Sequence, residues 1–144
     1  MSAISCNLLR EEDVATLPGT FRVETALTWG SDPYTLGQVV KDHLDHPLRL
    51  DNLQAYVAPI ALRNEAGEWM ESDEVFLLDY SIHAQKMVST FPAGTYDAVR
   101  FGLGIPPEIN TDMDPAAYPN DHPLSVLGSA GMFWTWASGY IFVK

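Results

Sequence analysis

Cysteine is almost absent from this chain: Cys6 stands alone among 144 residues. One thiol excludes a disulfide framework and every zinc-ribbon spacing. Positive charge is scarce too. Eight Lys and Arg face nineteen Asp and Glu, for a formal charge of -11. Such a surface disfavours nucleic acid and anionic membranes, which are polyanions themselves, while it favours solubility and attracts cations. No apolar run reaches the length of a membrane-spanning helix. The opening "MSAISC" lacks the basic region and the apolar length of a signal peptide. Catalytic signatures are missing as well. There is no Walker loop, dinucleotide fingerprint or G-x-S-x-G elbow, and "GLG" at 102–104 runs into Ile-Pro-Pro, which does not open a phosphate-binding helix. Nothing singles out a pair of carboxylates, so an acidic hydrolase is the weakest reading. The chain reads as a non-enzyme.

What is present is ordinary globular composition, 47% hydrophobic and 19% charged, enough for one domain. Residues 1–20 are unpatterned and read as a weakly structured arm, with 21–144 as the domain. "FRVETALTW" alternates, with Phe21, Val23, Leu27 and Trp29 on one face, and predicts a half-buried strand. "TLGQVVKDHLDHPL" accommodates a short helix stopped before Pro47. "LQAYVAPIALRN" is a strand in which Pro59 marks an edge or a bulge. "VFLLDY" and "YDAVRFGLG" are further strands; in the second, Val99, Phe101 and Leu103 point one way, Ala98 and Arg100 the other. The stretch from Ile105 to Gly131 is too long for a mere connector and reads as functional or disordered. The last strand is "MFWTWASGYIFV". Short strands with Gly and Pro turns give an all-β chain, an antiparallel β-sandwich.

Three groups of residues carry chemistry. Trp134 and Trp136 lie two apart, so a strand sets them on one face, with Phe133 and Thr135 on the other. That is either core packing or an aromatic platform. Asp45-His46-Pro47-Leu48 and Asp121-His122-Pro123-Leu124 repeat one tetrapeptide. Each has an acid able to orient the imidazole and a proline that stiffens the chain. Neutral imidazoles suit copper, zinc, iron and nickel; two exposed loop histidines are the plainer reading. On a helical turn His43 would share a face with His46. "NTDMD" sets Asn110, Asp112 and Asp114 at alternate positions, as in a calcium loop, but Pro115 replaces the glycine and no distal glutamate fits. Calcium is the less favoured metal. Met113 and Met132 are thioether candidates, more simply read as gap-fillers.

Taken in order, "LQAYVAPIAL", "GEW", "FLLDY", "FPAGTYDAVRFGLGIPPEIN", "HPL" and "GMFWTWASGYIFVK" resemble the MbnP-like family, bacterial proteins associated with copper handling. The resemblance runs from about residue 50 to residue 144, with "MFWTWASGY" and "PAGTYDAVRFGLG" its specific pieces. It implies an antiparallel sandwich in the periplasm or at the cell surface. It also implies a copper site in which two histidines act with a tryptophan oxidised to kynurenine by a partner di-haem enzyme of the MauG type. Carried onto this sequence, Trp134 and Trp136 are the tryptophan candidates and His122 precedes them; His46 enters from the repeated tetrapeptide instead. The family continues past the "GY-F" strand, so the sandwich is expected to be truncated at its C-terminal edge. The leading expectation is non-catalytic metal binding, copper favoured, in acquisition or storage. The alternative is a metal-free module that holds glycan or protein on an aromatic platform. Exposure of the tryptophans separates the two.

Overall fold

The computed structural model describes residues 17–82, 84–111, 114–135 and 138–144. Among these the regular secondary structure is almost all antiparallel strand, and the expected sandwich is present. Its frame is β6 (Gln54–Asn64), which pairs with β10 (Tyr96–Leu103) on one side. On the other side it pairs first with β8 (Phe76–Asp79), then with β7 (Trp69–Glu71). The second layer is β1 (Pro18–Thr25) paired with β9 (Gln85–Pro92). β1 begins three residues before the alternation starting at Phe21, and its odd positions are the half-buried ones, as the pattern requires. Val57, Ile60, Leu62 and Leu78 from the first layer meet Met87 and Phe91 from the second, with Phe21, Val23 and Tyr96 packed around them. This is the inter-sheet core.

Pro59 sits on a central strand, not an edge. It is accommodated by a bulge: Phe101 faces Ile60 while Leu103 faces Val57, so β6 carries one residue more than β10 there. Gly102 lies opposite. A β-carbon on it would run into the Ala58 carbonyl.

The bulge divides the molecule. Beyond it, Tyr56 and Ala58 face away from β1 and β9, into a second core with Val75, Ile105, Leu124, Met132 and Tyr140. The segment after β10 supplies most of this core. It contains the short helix α1 (Pro107–Asn110), a 3-10 turn at Pro115–Ala117, and the hairpin of β11 (Phe133–Thr135) with β12 (Gly139–Tyr140). What reads in sequence as a functional or disordered loop is thus a folded cover over one face of β6. Apolar residues spaced irregularly along a turn-rich stretch build that core without helical or strand periodicity.

The helix expected before Pro47 is not formed. The segment folds as the hairpin of β4 (Val39–Lys41) and β5 (Pro47–Arg49), next to the small hairpin of β2 (Thr28–Trp29) and β3 (Asp32–Pro33). Asp42 explains the change. Its carboxylate accepts the backbone N–H groups of Leu44 and His46, which stabilises a turn, and Asp45 takes a positive φ of 65°. β-branched Val39 and Val40 favour the strand.

Candidate functional site

The second core positions the candidate residues. Its centre is a pair of tyrosines. Tyr56 donates its hydroxyl to the Pro123 carbonyl at 2.8 Å, and Tyr140 donates to the Leu124 carbonyl. Burial raises both phenols, Tyr140 to about 12. They are donors at any physiological pH, and they hold the turn 122–124 against β6.

His122 stands at the start of that turn. Its ring stacks on Tyr118, with 4.4 Å between centres and 11° between planes. Its Nδ1 accepts the backbone N–H of Leu124 at 3.1 Å. Burial lowers its pKa below the ordinary imidazole value, and the neighbouring Asp121 carboxylate only partly offsets this. The imidazole is therefore neutral near pH 7. An accepting Nδ1 carries no proton, so the ring proton sits on Nε2. Gly128 packs so closely behind the turn that a β-carbon there would strike the His122 carbonyl.

His46 has different surroundings. It lies at the exposed end of the β4–β5 hairpin, where its Nδ1 is 3.3 Å from an Asp42 carboxylate oxygen. The acid beside this imidazole is therefore Asp42; Asp45, the tetrapeptide's own acid, turns to Lys41. The backbone N–H of His46 helps to hold the Asp42 carboxyl below its usual range. His43 is exposed, and with no helix there the i, i+3 alignment of His43 and His46 does not arise. Among the described residues His46 and His122 share no partner.

Trp134 is 69% exposed, whereas its neighbour Phe133 packs against the core and meets Tyr140 edge-on at 5.1 Å. Trp136, Met113 and Asp112 lie outside the described residues, as does Cys6. Met132 is fully buried and fills the core. Two oxygen donors of "NTDMD" have partners within the fold: Asn110 accepts the Tyr140 backbone N–H, and Asp114 caps the 3-10 turn through Ala116. Among the described residues, no three of His, Cys, Asp and Glu come together as a metal site. Of the residues expected to bind metal, then, none that is described lies in a ready donor set. The structure shows instead Tyr118 against the His122 ring, and Tyr56 and Tyr140 on the carbonyls of the next two residues, which sequence reasoning missed because no motif spacing links them.

The family described as MbnP matches residues 18–144. The chain belongs to the MbnP family. A solved structure, MbnP from Methylosinus trichosporium, is similar over 88% of this chain at 18% identity, with a TM-score of 0.64. That likeness concerns the fold, and this member of the MbnP family spans about half, 53%, of that longer chain. Comparison with curated proteins gives no match. Among the described residues no helix is long and apolar enough to cross a membrane.

Proposed function

We propose that this member of the MbnP family is a non-catalytic metal-binding protein of the periplasm or cell surface, with copper as the favoured metal, in acquisition or storage. His122 is the observation that carries the reading. It is a part-buried imidazole kept neutral near pH 7, in the segment that leads into the Trp134 strand. Neutral imidazole is the form that binds copper. Ligation at Nδ1 replaces the Leu124 hydrogen bond. Ligation at Nε2 moves the ring proton to Nδ1 and also breaks it. Binding is therefore coupled to a rearrangement of turn 122–124, and the remaining donors, with His46, Trp134 and Trp136 as candidates, are gathered in that rearrangement. A di-haem oxidase of the MauG type is the proposed partner, and the accessible ring of Trp134 supports such a modification. The test is a competitive Cu(I) titration under reducing, anaerobic conditions. Stoichiometric binding lost in His122→Ala is expected; equal binding by both proteins removes His122 from the site, and no binding by wild type removes the function.

One observation favours the second reading. Trp134 presents its ring to solvent, as an aromatic platform for a glycan or a protein would. Titration with soluble oligosaccharides, followed by tryptophan fluorescence in wild type and Trp134→Ala, separates it from the metal reading.

A further inference from the structure

The two layers of the sandwich differ in width. The β6 sheet is three strands across, because β7 and β8 share one edge. The facing layer has only β1 and β9. The consequence appears on β10. Val99 lies opposite Leu62, Phe101 opposite Ile60 and Leu103 opposite Val57, so all three share the face that looks towards the inter-sheet core. Val143 continues the row, opposite Ala55. These four side chains remain 44%, 44%, 71% and 47% exposed, while their partners on β6 are buried. Phe21 of β1, together with Leu62, Tyr96 and Val99, lines an open apolar groove of about 390 Å³ at this side. β1 rather than β9 borders that groove, and among the described residues β1 is hydrogen-bonded to β9 alone. Every second residue of β1 therefore turns its N–H and C=O to the open side. The slot offers a backbone edge and an apolar floor together.

We infer that this slot takes an extended, unpaired peptide segment of another protein, added antiparallel to β1, apolar at every second residue and bearing a carboxylate opposite Arg22. Such a strand, at the usual spacing of about 4.8 Å, makes main-chain bonds to β1 and lays its apolar side chains over Val99, Phe101 and Leu103. The segment has to come alone. β10 already fills the level beneath it, so a strand with a second layer of its own, as at the edge of a folded sandwich, does not enter. The residues of this chain ahead of β1 do not suit the place either. In one alternation Arg10 and Glu12 would face the apolar row, and in the other Glu11 and Asp13. Charge selects the register. Arg49, Arg63 and Arg100 each hold a carboxylate, whereas Arg22 lies opposite Val88 of β9 and has none among the described residues. Glu24, on the same outward face, is matched by Lys86 at 3.7 Å. One cation on the outer face of β1 is thus left for the added strand, and a carboxylate opposite it fixes which residue sits where. A shift by a single residue would turn the apolar side chains outward.

Titration of the whole chain into the fluorescent peptide Lys-Val-Thr-Val-Glu-Val-Thr-Val-Lys, followed by anisotropy, tests the inference. Saturable binding is expected, with the open-edge amides of β1 gaining protection from hydrogen exchange. Arg22→Glu, at an exposed position, should weaken binding by about tenfold. A peptide with lysine in place of its glutamate should reverse that order and bind Arg22→Glu better than wild type, with circular dichroism confirming that the variant is folded. N-methylation of alternate peptide nitrogens separates strand pairing from loose apolar adhesion. Methyl groups on the edge turned to β1 should abolish binding, and methyl groups on the other edge should leave it intact. No binding by wild type overturns the inference, as does binding indifferent to Arg22→Glu or to the methylated edge. Protection of the open-edge β1 amides before any peptide is added overturns it too, and would assign the edge to another segment of the same chain.

Discussion

Tyr56 and Tyr140 meet edge to face, with 5.7 Å between ring centres and 83° between planes, and their hydroxyls are donated to the consecutive carbonyls of Pro123 and Leu124. Two strands far apart in sequence thereby hold one turn. Removing either hydroxyl leaves a carbonyl without its partner in a water-poor core. Tyr56→Phe and Tyr140→Phe should each cost about 1–3 kcal/mol of stability in urea unfolding. The double variant should cost less than the sum, because both bonds fix the same turn. Strict additivity would show that the turn is held by something else.

His122 gives the fold a pH dependence. Its pKa is lowered by burial in the folded chain and sits near 6.5 in the unfolded one. Below the unfolded value the unfolded chain binds more protons, so stability falls as pH drops; above it the contribution is complete. Compared with His122→Phe, which keeps a ring against Tyr118, wild type should gain stability from roughly pH 5 to pH 7. Parallel profiles for the two proteins would contradict this account.

Ser89 is 1% exposed on β9, and its hydroxyl has no hydrogen-bond partner among the described residues. A buried hydroxyl without a partner is unfavourable, so Ser89→Ala should raise the unfolding free energy by roughly 1 kcal/mol. A loss of stability would reveal a partner for that hydroxyl.

Gly128 packs against the His122 carbonyl and Gly102 against the Ala58 carbonyl, both too closely for a β-carbon. Gly128→Ala and Gly102→Ala should each destabilise by about 1–3 kcal/mol. Only Gly128→Ala should also displace the His122 imidazole, read as a changed His122 pKa by NMR.

Trp134 projects from the surface, so Trp134→Ala should alter stability by no more than about 0.5 kcal/mol. A larger loss in thermal unfolding would mean that the ring is packed in solution.

The sandwich was legible because its strands obey period two: β1 alternates in burial as "FRVET" alternates in sequence, and the proline in "AYVAPIAL" did mark a bulge. The hairpin at 39–49 was not. Its decisive contacts come from one side chain, Asp42, and the stretch has no strand alternation to announce them. The fold over β6 was hidden for a related reason. Ile105, Leu124 and Met132 are brought together by turns, and turn-built cores leave no period in the sequence. Of the site, the His-Pro repeat was visible, but not its asymmetry. The same four residues form an exposed hairpin end in one place and a part-buried turn in the other, because the second copy has Tyr56, Tyr118 and Tyr140 around it. Of "WTW", Trp134 and Thr135 lie on a strand as read, and Trp136 lies outside the described residues. Which face looks inward depended on Phe133 finding Tyr140, a contact made in space.

The extra residue at Ala58–Pro59 acts as a phase shift in the reading frame of β6. Val57, Ile60 and Leu62 face one core although the count between the first two is odd, because the bulge absorbs the extra residue. Shortening the strand by one residue at Pro59 would make the alternation regular and leave every inward side chain inward. Lengthening it by one residue just beyond also makes the count even, but leaves β6 with two residues more than β10 to accommodate opposite Gly102. At this point the chain tolerates loss better than gain, an asymmetry that a pair of one-residue deletion and insertion variants would expose directly.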